Sequence, residues 1–320
     1  MTGAGGFIGS HLVEALVNHG ANVRAFVHYN SRDDLGLLTF LPQHDLERVD
    51  VFPGDLRDSA AVCEAVRGWD VVFHLGASIS IPHSYRRPYE VAETNLMGTL
   101  NVLQACRESR VSRLVHTSSS EVYGTAIEVP IGESHPLQGQ SPYSASKIGA
   151  DKLAESFWCA YELPVVTIRP FNTYGPRQSP RAIIPTIITQ ALTQNTIRLG
   201  NLDARRDLTY VSDTVDGFLR VGLVEGVCGE TFNLGTGDDV SVRDLAAMVV
   251  KLLDKEIELE LDADRLRPER SEVQRLVSDY SRAKERIGWS PSVTIEEGLE
   301  RTIAWFRDNL QSFQSDVYRM

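Results

Sequence analysis

Residues 2–9 read TGAGGFIG and lead directly into a segment of helical period. Their glycines Gly3, Gly6 and Gly9 have the spacing GxxGxxG. Glycines at such positions let backbone N–H groups approach a pyrophosphate, and the N-terminus of the next helix adds a partial positive charge that favours the anion. In isolation the same pattern also describes a glycine-rich turn that caps a helix. The choice between these two interpretations depends on the pattern of the residues after Gly9.

Short apolar runs alternate with amphipathic segments from the glycine loop to about residue 170. The runs that predict strands are Val23–Val27, Val49–Phe52, Val71–Leu75, Leu114–Ser118 and Val165–Arg169. This alternation is typical of a parallel sheet with helices on both faces, which is a doubly wound α/β fold. The alternation therefore favours dinucleotide binding by the glycine loop.

After Pro170 the pattern becomes less regular and predicts a smaller α+β lobe. Apolar periodicity predicts helices near residues 183–194, 212–223, 241–253 and 295–308, and a strand at Thr231–Leu234. We therefore expect a dinucleotide-binding domain over residues 1–170 and a substrate-binding lobe over residues 171–320. The segment around 207–235 is expected to return to the first domain.

The strand that should precede the glycine loop is almost absent. Only Met1 and Thr2 stand before Gly3, whereas the glycine loop of a dinucleotide fold comes after the central strand of the sheet. The sequence therefore predicts that the first strand lacks about five or six residues, the usual length of a strand.

The composition is that of an ordinary globular protein, with 42% hydrophobic residues and a formal net charge of −11. This negative charge argues against a nucleic-acid partner. The four cysteines are far apart and form no CxxC pair, which argues against a zinc site and against a disulfide framework. No apolar run approaches the roughly 18 residues of a spanning helix, and no secretion leader is visible. We expect a cytoplasmic protein with no membrane segment and no metal.

The region after the Val23–Val27 strand bears on the choice of cofactor. No Asp or Glu stands at the end of this strand, where an acid usually binds the adenosine ribose. Ser31 and Arg32 could instead accept a 2′-phosphate, which favours NADP over NAD; a solvated loop arginine is the alternative. Asp55 and Leu56 come after the next strand and are expected to border the adenine, although Asp55 could equally cap the next helix.

A candidate catalytic pair lies in SPYSASK, residues 141–147. Tyr143 and Lys147 are four residues apart, so on a helix both side chains project from the same face. A nearby ammonium stabilises phenolate over phenol and should lower the pKa of the tyrosine towards neutrality. Because this spacing is common on ordinary helices, its surroundings must support a catalytic role.

Those surroundings include HTSSSEVYG, residues 116–124, which leave a strand at the carboxyl edge of the sheet. Open α/β proteins bind their ligands at this edge. Ser119 is expected to orient a substrate hydroxyl against Tyr143, and Glu121 adds a carboxylate that can move a proton. Alternatively, the serines cap a turn and Glu121 lies in a surface salt bridge.

Four motifs together resemble the extended short-chain dehydrogenases that act on nucleotide sugars: GAGGFIG (3–9), SSEVYG (119–124), YSASK (143–147) and RPFNTYGPR (169–177). The resemblance covers the chain apart from the first strand. It is strongest to NDP-sugar 4,6-dehydratases of the GDP-mannose type and to the GDP-N-acetylglucosamine enzymes of legionaminic acid synthesis. It implies a Rossmann fold and a tightly bound, recycled NAD(P)+. It also implies a homodimer through a four-helix bundle near 90–108 and 142–160.

The resemblance further implies roles for individual residues. Tyr143 and Lys147 would be the base pair, Ser119 would stand where threonine is usual, and Glu121 would be the proton shuttle. Ser120 replaces an aspartate of the dTDP-glucose branch, which points to the GDP-mannose-like branch. Substrate contacts are expected from Ser120, Asn172, Arg177, Arg206 and Arg267. Cofactor contacts are expected from Gly3, Gly6, Phe7, Ile8, Gly9, Ser31, Arg32, Asp55, Leu56, Leu75, Ala77, Tyr143 and Lys147.

The implied reaction is oxidation of the sugar at C4, elimination of water across C5 and C6, and return of hydride to C6. The rivals are a UDP-glucuronate decarboxylase, whose relatives carry the same SEVYG motif, and a 4-epimerase, which needs no carboxylate at position 121. A non-catalytic dinucleotide-binding protein is the remaining alternative. Retention of Tyr143, Lys147 and Glu121 argues against it, although a missing first strand could inactivate the chain.

Overall fold

The computed structural model describes residues 1–266 and 268–313. The strands in chain order are β1 (Val23–His28), β2 (Val49–Gly54), β3 (Val71–His74), β4 (Arg113–Thr117), β5 (Val165–Pro170), β6 (Asn172–Tyr174), β7 (Thr196–Leu199), β8 (Arg205–Arg206), β9 (Leu208–Tyr210), β10 (Thr231–Leu234), β11 (Val240–Ser241), β12 (Glu258–Leu261) and β13 (Arg275–Leu276).

The helices in chain order are α1 (Phe7–Asn18), α2 (Gln43–Leu46), α3 (Ser59–Val66), α4 (Ile81–Arg86), α5 (Pro88–Ala92), α6 (Gly98–Ser109), α7 (Pro142–Tyr161), α8 (Ile183–Thr193), α9 (Val211–Leu223), α10 (Val242–Leu252), α11 (Ser281–Ile287) and α12 (Ile295–Phe313). A π-helical turn, Glu93–Met97, joins α5 to α6. Short 3₁₀ turns span Gly36–Phe40, Ser120–Tyr123, Ala263–Arg265 and Glu269–Ser271.

A parallel sheet forms the centre of the protein. β2 pairs with β1, and β3, β4, β5 and β10 form a second group of neighbours in that order. Thr2 joins the two groups, because it bridges Phe26 of β1 on one side and His74 of β3 on the other. Met1 and Thr2 thus occupy the place at which the sequence predicts the shortened first strand.

Helices cover both faces of this sheet. Successive residues of β4 show the two faces, because Leu114 packs in a core with α3, α6 and α7, while Val115 packs in a core with α1 and α9. β5 is buried along its whole length, as expected of a parallel strand covered on both sides. The predicted doubly wound α/β fold is therefore confirmed, and the five strands predicted before residue 170 all form.

The chain after β5 both extends the main sheet and builds a smaller lobe. β10 pairs with β5 through Thr231↔Thr167, so this later segment returns to the main sheet. The remaining strands pair as β6 with β9, β7 with β12, and β8 with β11 and β13. α8 packs against α10 and α12 beside these small sheets. Strands β1 to β5 of the parallel sheet lie before the predicted division near residue 170, whereas β10 and the small sheets come after it. The division into two domains stays a prediction.

Two kinds of feature are absent from the described part of the chain, which lacks residue 267 and everything after residue 313. Among these residues, no helix combines the length and the apolar character needed to cross a bilayer. Within the same ranges, no group of three or more His, Cys, Asp or Glu side chains is arranged to hold a metal ion.

Candidate active site

The glycine loop is shaped by two glycines that no other residue can replace without displacing backbone. Gly3 has φ +69°, and a Cβ there would lie 2.7 Å from the amide nitrogen of Gly76. A Cβ on Gly9 would lie 2.0 Å from the carbonyl oxygen of Gly3. α1 begins after Gly6, which offers no capping side chain to the first amides of the helix. The loop therefore brings a helix N-terminus to an open cavity, as a pyrophosphate requires.

Two cavities meet at this loop. The larger one is a cleft of about 730 Å³ that runs from the glycine loop past Tyr143 into the smaller lobe. The expected cofactor residues Phe7, Ile8, Leu75 and Ala77 line it. The second cavity, of about 490 Å³, opens beside β1 and β2. The two share Gly3, Gly6, Gly76 and Ala77, so together they form an elongated site at the carboxyl edge of the sheet.

The smaller cavity is lined by both acidic and basic side chains, and its arginine, Arg57, is paired with Asp55 and Glu93. Ser31 and Arg32 are exposed and line neither cavity, whereas Asn30 and Asp34 line the smaller one. The Asn30 amide oxygen accepts hydrogen bonds from the backbone N–H groups of Arg32 and Asp34, each at 3.0 Å. Asp34 in turn accepts from the N–H of Gly36 at 2.8 Å. The smaller cavity thus has an acidic side chain, Asp34, but this residue follows a turn and does not stand at the end of β1.

Asp55 and Leu56 line the smaller cavity, as expected. The Asp55 carboxylate is held by Arg57, whose Nη2 lies 2.6 Å from Oδ2. This hydrogen bond lowers the pKa of Asp55 to about 2. The alternative in which Asp55 caps the next helix is wrong, because Asp58 is the N-cap of α3 and accepts from Ala60 and Ala61. Asp55 therefore stays ionised beside the expected adenine position.

The N-terminus of α7 fixes the position of Tyr143. Ser141 and Ser144 form a reciprocal capping box, with Ser144 N donating to Ser141 Oγ at 3.0 Å and Ser141 N donating to Ser144 Oγ at 2.9 Å. Pro142 occupies the first turn, where its fixed φ suits a helix start. Because Tyr143 comes immediately after it, its side chain leaves a rigid helix end and faces the cleft.

The chemical state of the Tyr143 and Lys147 pair differs from the prediction. Burial raises the pKa of Tyr143 to about 12, although a hydrogen bond with Ser119 opposes the rise. Burial lowers the pKa of Lys147 to about 8, and its Nζ donates to the carbonyl oxygen of Thr117 at 2.5 Å. The expectation that Lys147 lowers the pKa of Tyr143 below its ordinary value is thus wrong for this state, because burial outweighs any nearby charge.

The turn after β4 brings three expected residues to the cleft. Ser119, Ser120 and Glu121 all line it together with Tyr143. Ser119 is the N-cap of the 3₁₀ turn and accepts from Glu121 N at 3.2 Å, while it also hydrogen-bonds Tyr143. Capping and contact with the tyrosine, which the sequence left as alternatives, therefore coexist. The Glu121 carboxylate is one of the charges that raise the pKa of Tyr143, so the two groups lie close.

The expected substrate residues do not all reach the cleft. Asn172 and Arg206 line it. Arg177 does not: it is buried against α1, its Nη2 lies 2.7 Å from Glu14 Oε2, and its φ is +65°. The placement of Arg177 at the substrate is therefore wrong in this structure, because its ion pair ties the second lobe to α1. Arg267 lies outside the described residues.

Several cleft residues were missed by sequence reasoning. They come from α4 and the segment before it, from the segment after β6, and from the region of the two 3₁₀ turns near residue 265. These residues are Ile79, Ile81, Tyr85, Arg86, Gln178, Arg181, Arg265 and Glu272. Arg265 stands in RLRPE (265–269), in which only Arg267 was singled out. The others carry no local signal, because only the folded chain brings these distant segments to one cavity.

The described residues fit a nicotinamide dinucleotide. The glycine loop and the α1 N-terminus suit its pyrophosphate, and the smaller cavity suits its adenosine. Tyr143 stands on the cleft wall with the buried Lys147 one helical turn behind it. A doubly wound sheet that carries this loop and a Tyr-x-x-x-Lys pair at its carboxyl edge defines a short-chain dehydrogenase/reductase.

Comparison with known proteins places the chain within this class. The family model described as GDP-mannose 4,6 dehydratase matches residues 1–302. The chain therefore belongs to this family of nucleotide-sugar dehydratases and epimerases, within the extended short-chain dehydrogenases. The resemblance inferred from the four motifs is confirmed.

Its relatives carry two kinds of activity. A UDP-glucose 4-epimerase of Mycolicibacterium smegmatis is 34% identical over 97% of this chain and 99% of its own length. A dTDP-D-glucose 4,6-dehydratase of Mus musculus is 32% identical over 98% of this chain and 90% of its own. A dTDP-glucose 4,6-dehydratase structure from Streptomyces venezuelae, with NAD bound, superposes with a TM-score of 0.85 at 30% identity, covering 98% of each chain.

Proposed function

We propose that this protein is a nucleotide-sugar 4,6-dehydratase that forms a 4-keto-6-deoxy sugar nucleotide. The observation that carries the proposal is the position of Glu121, which lines the same cleft as Tyr143 and is close enough to influence its pKa. Oxidation at C4 needs one base, whereas elimination of water across C5 and C6 needs a second group that removes the C5 proton. Glu121 supplies that second group.

In the first step the Tyr143 oxygen accepts the proton of the C4 hydroxyl. Ser119, which hydrogen-bonds Tyr143, orients that hydroxyl. Because burial raises the pKa of Tyr143 to about 12, its deprotonation depends on positive charge around it, and Lys147 is the nearest ammonium on α7. The bound nicotinamide dinucleotide supplies the acceptor for the C4 hydride and later the donor of hydride to C6.

In the second step the new 4-ketone acidifies the C5 hydrogen, and the Glu121 carboxylate removes it as a proton. Ser120 offers no carboxylic acid, so Glu121 also passes a proton to the departing C6 hydroxyl, which leaves as water. C5 regains a proton from solvent when C6 receives hydride, and Tyr143 returns its own proton to solvent. Tyr143 and Glu121 each accept one proton from the substrate, and each releases it again, Glu121 into the departing water and Tyr143 to solvent. The proton that C5 gains from solvent equals the one that Tyr143 returns, so the cycle balances.

A 4-epimerase is the second candidate, because the mycobacterial relative carries that description. Epimerisation shares the first step and then returns hydride to C4 from the other face of the sugar. It needs Tyr143, Ser119 and Lys147 but leaves Glu121 without a proton to move. The two candidates therefore differ in what they require of Glu121.

The experiment that tests the proposal is mass spectrometry of sugar nucleotides incubated with the purified protein. GDP-mannose, GDP- and UDP-N-acetylglucosamine, dTDP-glucose and UDP-glucuronate are supplied separately. Loss of the mass of one water supports the dehydratase and identifies its substrate. Loss of carbon dioxide would make the protein a decarboxylase. An unchanged mass with altered C4 stereochemistry by NMR would make it an epimerase.

We further propose NAD as the cofactor and a homodimer as the working state. The acid Asp34 and the amide Asn30 line the smaller cavity, while Arg32 is exposed and lines neither one. A carboxylate suits a free ribose diol and repels a 2′-phosphate.

The homodimer would use α6 and α7, and α7 carries the partly exposed Trp158 and Tyr161. Light scattering of the purified protein measures the assembly.

A further inference from the structure

A buried carboxylate that the proposed reaction does not use lies behind the catalytic pair. Asp151 stands on α7 one helical turn after Lys147 and is 5% exposed. Its Oδ1 lies 3.1 Å from His116 Nε2. Its Oδ2 accepts from Ser118 Oγ at 2.8 Å and from Arg169 Nη2 at 3.0 Å. Both oxygens of this carboxylate are thus engaged by side chains of other elements.

These contacts join the elements that carry the active site. His116 lies in β4, and Ser118 follows the end of that strand, directly before Ser119. Arg169 belongs to β5, and its Nη1 also donates to the hydroxyl of Tyr123 at 2.9 Å. Tyr123 closes the 3₁₀ turn that holds Glu121. Asp151 therefore links the helix of Tyr143 and Lys147 to both ends of the turn that bears Ser119 and Glu121.

Asp151 also sets the charge balance around Lys147. Lys147 is 4% exposed, and burial disfavours its ammonium, whereas the Asp151 carboxylate favours it. The other titratable groups that face this region are His74 on β3, His116 on β4, Arg169 on β5, Tyr143 on α7 and Glu121 on the turn. The pKa values of both histidines are lowered by burial, so neither one adds a second positive charge beside Lys147.

We propose that Asp151 is a positioning residue whose carboxylate keeps Lys147 protonated and holds the Ser119 turn against α7. The proposal rests on the proposed use of Tyr143 and Lys147 in the reaction. Its physical basis is that a buried ammonium persists only where an opposite charge offsets the loss of solvation.

The test uses Asp151→Asn, which removes the charge and keeps the shape. The amide oxygen can still accept from Ser118 and Arg169. His116 Nδ1 has no hydrogen-bond partner among the described residues, so the proton of the ring can move there and leave Nε2 to accept from the new amide. The matched control is Glu155→Gln, one turn further along α7, where the carboxylate is exposed and pairs with Lys152.

The first measurement is NMR titration of lysine labelled with ¹³C at Cε. The chain contains five lysines, and Lys147→Arg identifies the signal of Lys147. We expect its pKa to fall by about one unit or more in Asp151→Asn, the size expected for loss of a nearby opposite charge. Glu155→Gln should leave it unchanged. An unchanged titration of Lys147 in Asp151→Asn overturns the proposal.

The second measurement is the pH profile of turnover. In Asp151→Asn the alkaline limit of kcat should move down by about one pH unit, with KM changed less than about twofold, since the substrate contacts remain. An equal loss of kcat at every pH would show a merely structural role. If Asp151→Asn does not fold, Asp151→Ser carries the same expectations. Absence of a dehydrated product from the wild-type protein would reject the function, whereas the lysine titration would still decide the role of Asp151.

Discussion

The guanidinium of Arg206 lies 3.2 Å from the carboxylate of Glu272, and both side chains are largely buried at the wall of the active-site cleft. A guanidinium held in this way has a fixed orientation, which suits recognition of phosphate. We expect Arg206→Gln to raise KM for the nucleotide sugar about 10- to 100-fold, the loss of one charge-assisted contact, and to change kcat little. Steady-state kinetics measures both constants.

The matched control is Arg205→Gln at the neighbouring position. Arg205 pairs with Asp239 at 2.8 Å, and its side chain is 41% exposed. Its replacement should leave KM within about twofold, because Arg205 does not line the cleft. Equal effects of the two substitutions, or a loss confined to kcat in Arg206→Gln, would contradict binding of the substrate by Arg206.

Glu121→Gln separates the two halves of the proposed reaction. The amide keeps the size of the side chain but removes no proton, so oxidation at C4 should proceed while elimination stops. We expect product formation to fall about 10²- to 10⁴-fold. Reduced cofactor should accumulate on the protein and is measured by its near-ultraviolet absorbance after a single addition of substrate.

Glu128→Gln is the control for this prediction, because Glu128 is an exposed carboxylate in the loop after the Glu121 turn. It should turn over like the wild-type protein. If Glu121→Gln keeps full turnover with a product of unchanged mass, the epimerase is the better description of the activity.

Local sequence patterns predict the parts of the fold that depend on local chemistry. The glycine loop results from backbone sterics at Gly3 and Gly9, and the strands result from apolar runs that remain buried on both faces. The Tyr143 and Lys147 spacing likewise needs only the geometry of α7. These features require no knowledge of distant contacts, and so the sequence alone identifies them.

Other parts of the site depend on contacts that only the folded chain makes. Arg177 belongs to a motif at the start of the second lobe but pairs with Glu14 of α1. Asp34 reaches the smaller cavity only because Asn30 folds the intervening residues into a turn. The pKa of Tyr143 is governed by burial, which residue spacing does not report. Long-range packing therefore decides where sequence reasoning succeeds and where it fails.

The position of Asp34 leads to a prediction about the cofactor. A carboxylate beside the adenosine ribose favours a free 2′-hydroxyl and repels a 2′-phosphate. We expect the protein to bind NAD at least about tenfold more tightly than NADP, and Asp34→Ala to reduce this preference, mainly by weakening NAD binding. Isothermal titration of the protein freed of nucleotide measures the four dissociation constants.

Arg32→Ala serves as the control, because the exposed Arg32 is the residue from which the sequence predicted NADP. The variant should bind both cofactors like the wild-type protein. If the wild-type protein binds NADP more tightly than NAD, and Arg32→Ala loses this preference, NADP is the cofactor, as the sequence predicts. That result would reject the proposal that Asp34 selects NAD.

The half-buried His11 makes the stability of the fold depend on pH. Its Nε2 lies 2.9 Å from the carbonyl oxygen of Pro176, and burial lowers the pKa of the ring to about 4. Between pH 4 and the ordinary histidine pKa of 6.5, His11 therefore binds a proton in the unfolded chain but not in the folded protein. The stability that depends on a neutral His11 is fully present above the unfolded-state pKa of 6.5 and is lost as the pH falls towards 4.

We expect His11 to lower the free energy of unfolding by about 2 kcal/mol between pH 7 and about pH 5. In His11→Gln the side-chain amide can still donate to Pro176, but the proton linkage disappears, so the variant should lose correspondingly less stability over this interval. Urea unfolding at the two pH values measures the difference. His19→Gln is the control, because His19 is exposed, and it should keep the full dependence. Equal pH dependence in wild type and His11→Gln would mean that His11 is protonated in the folded protein despite its burial.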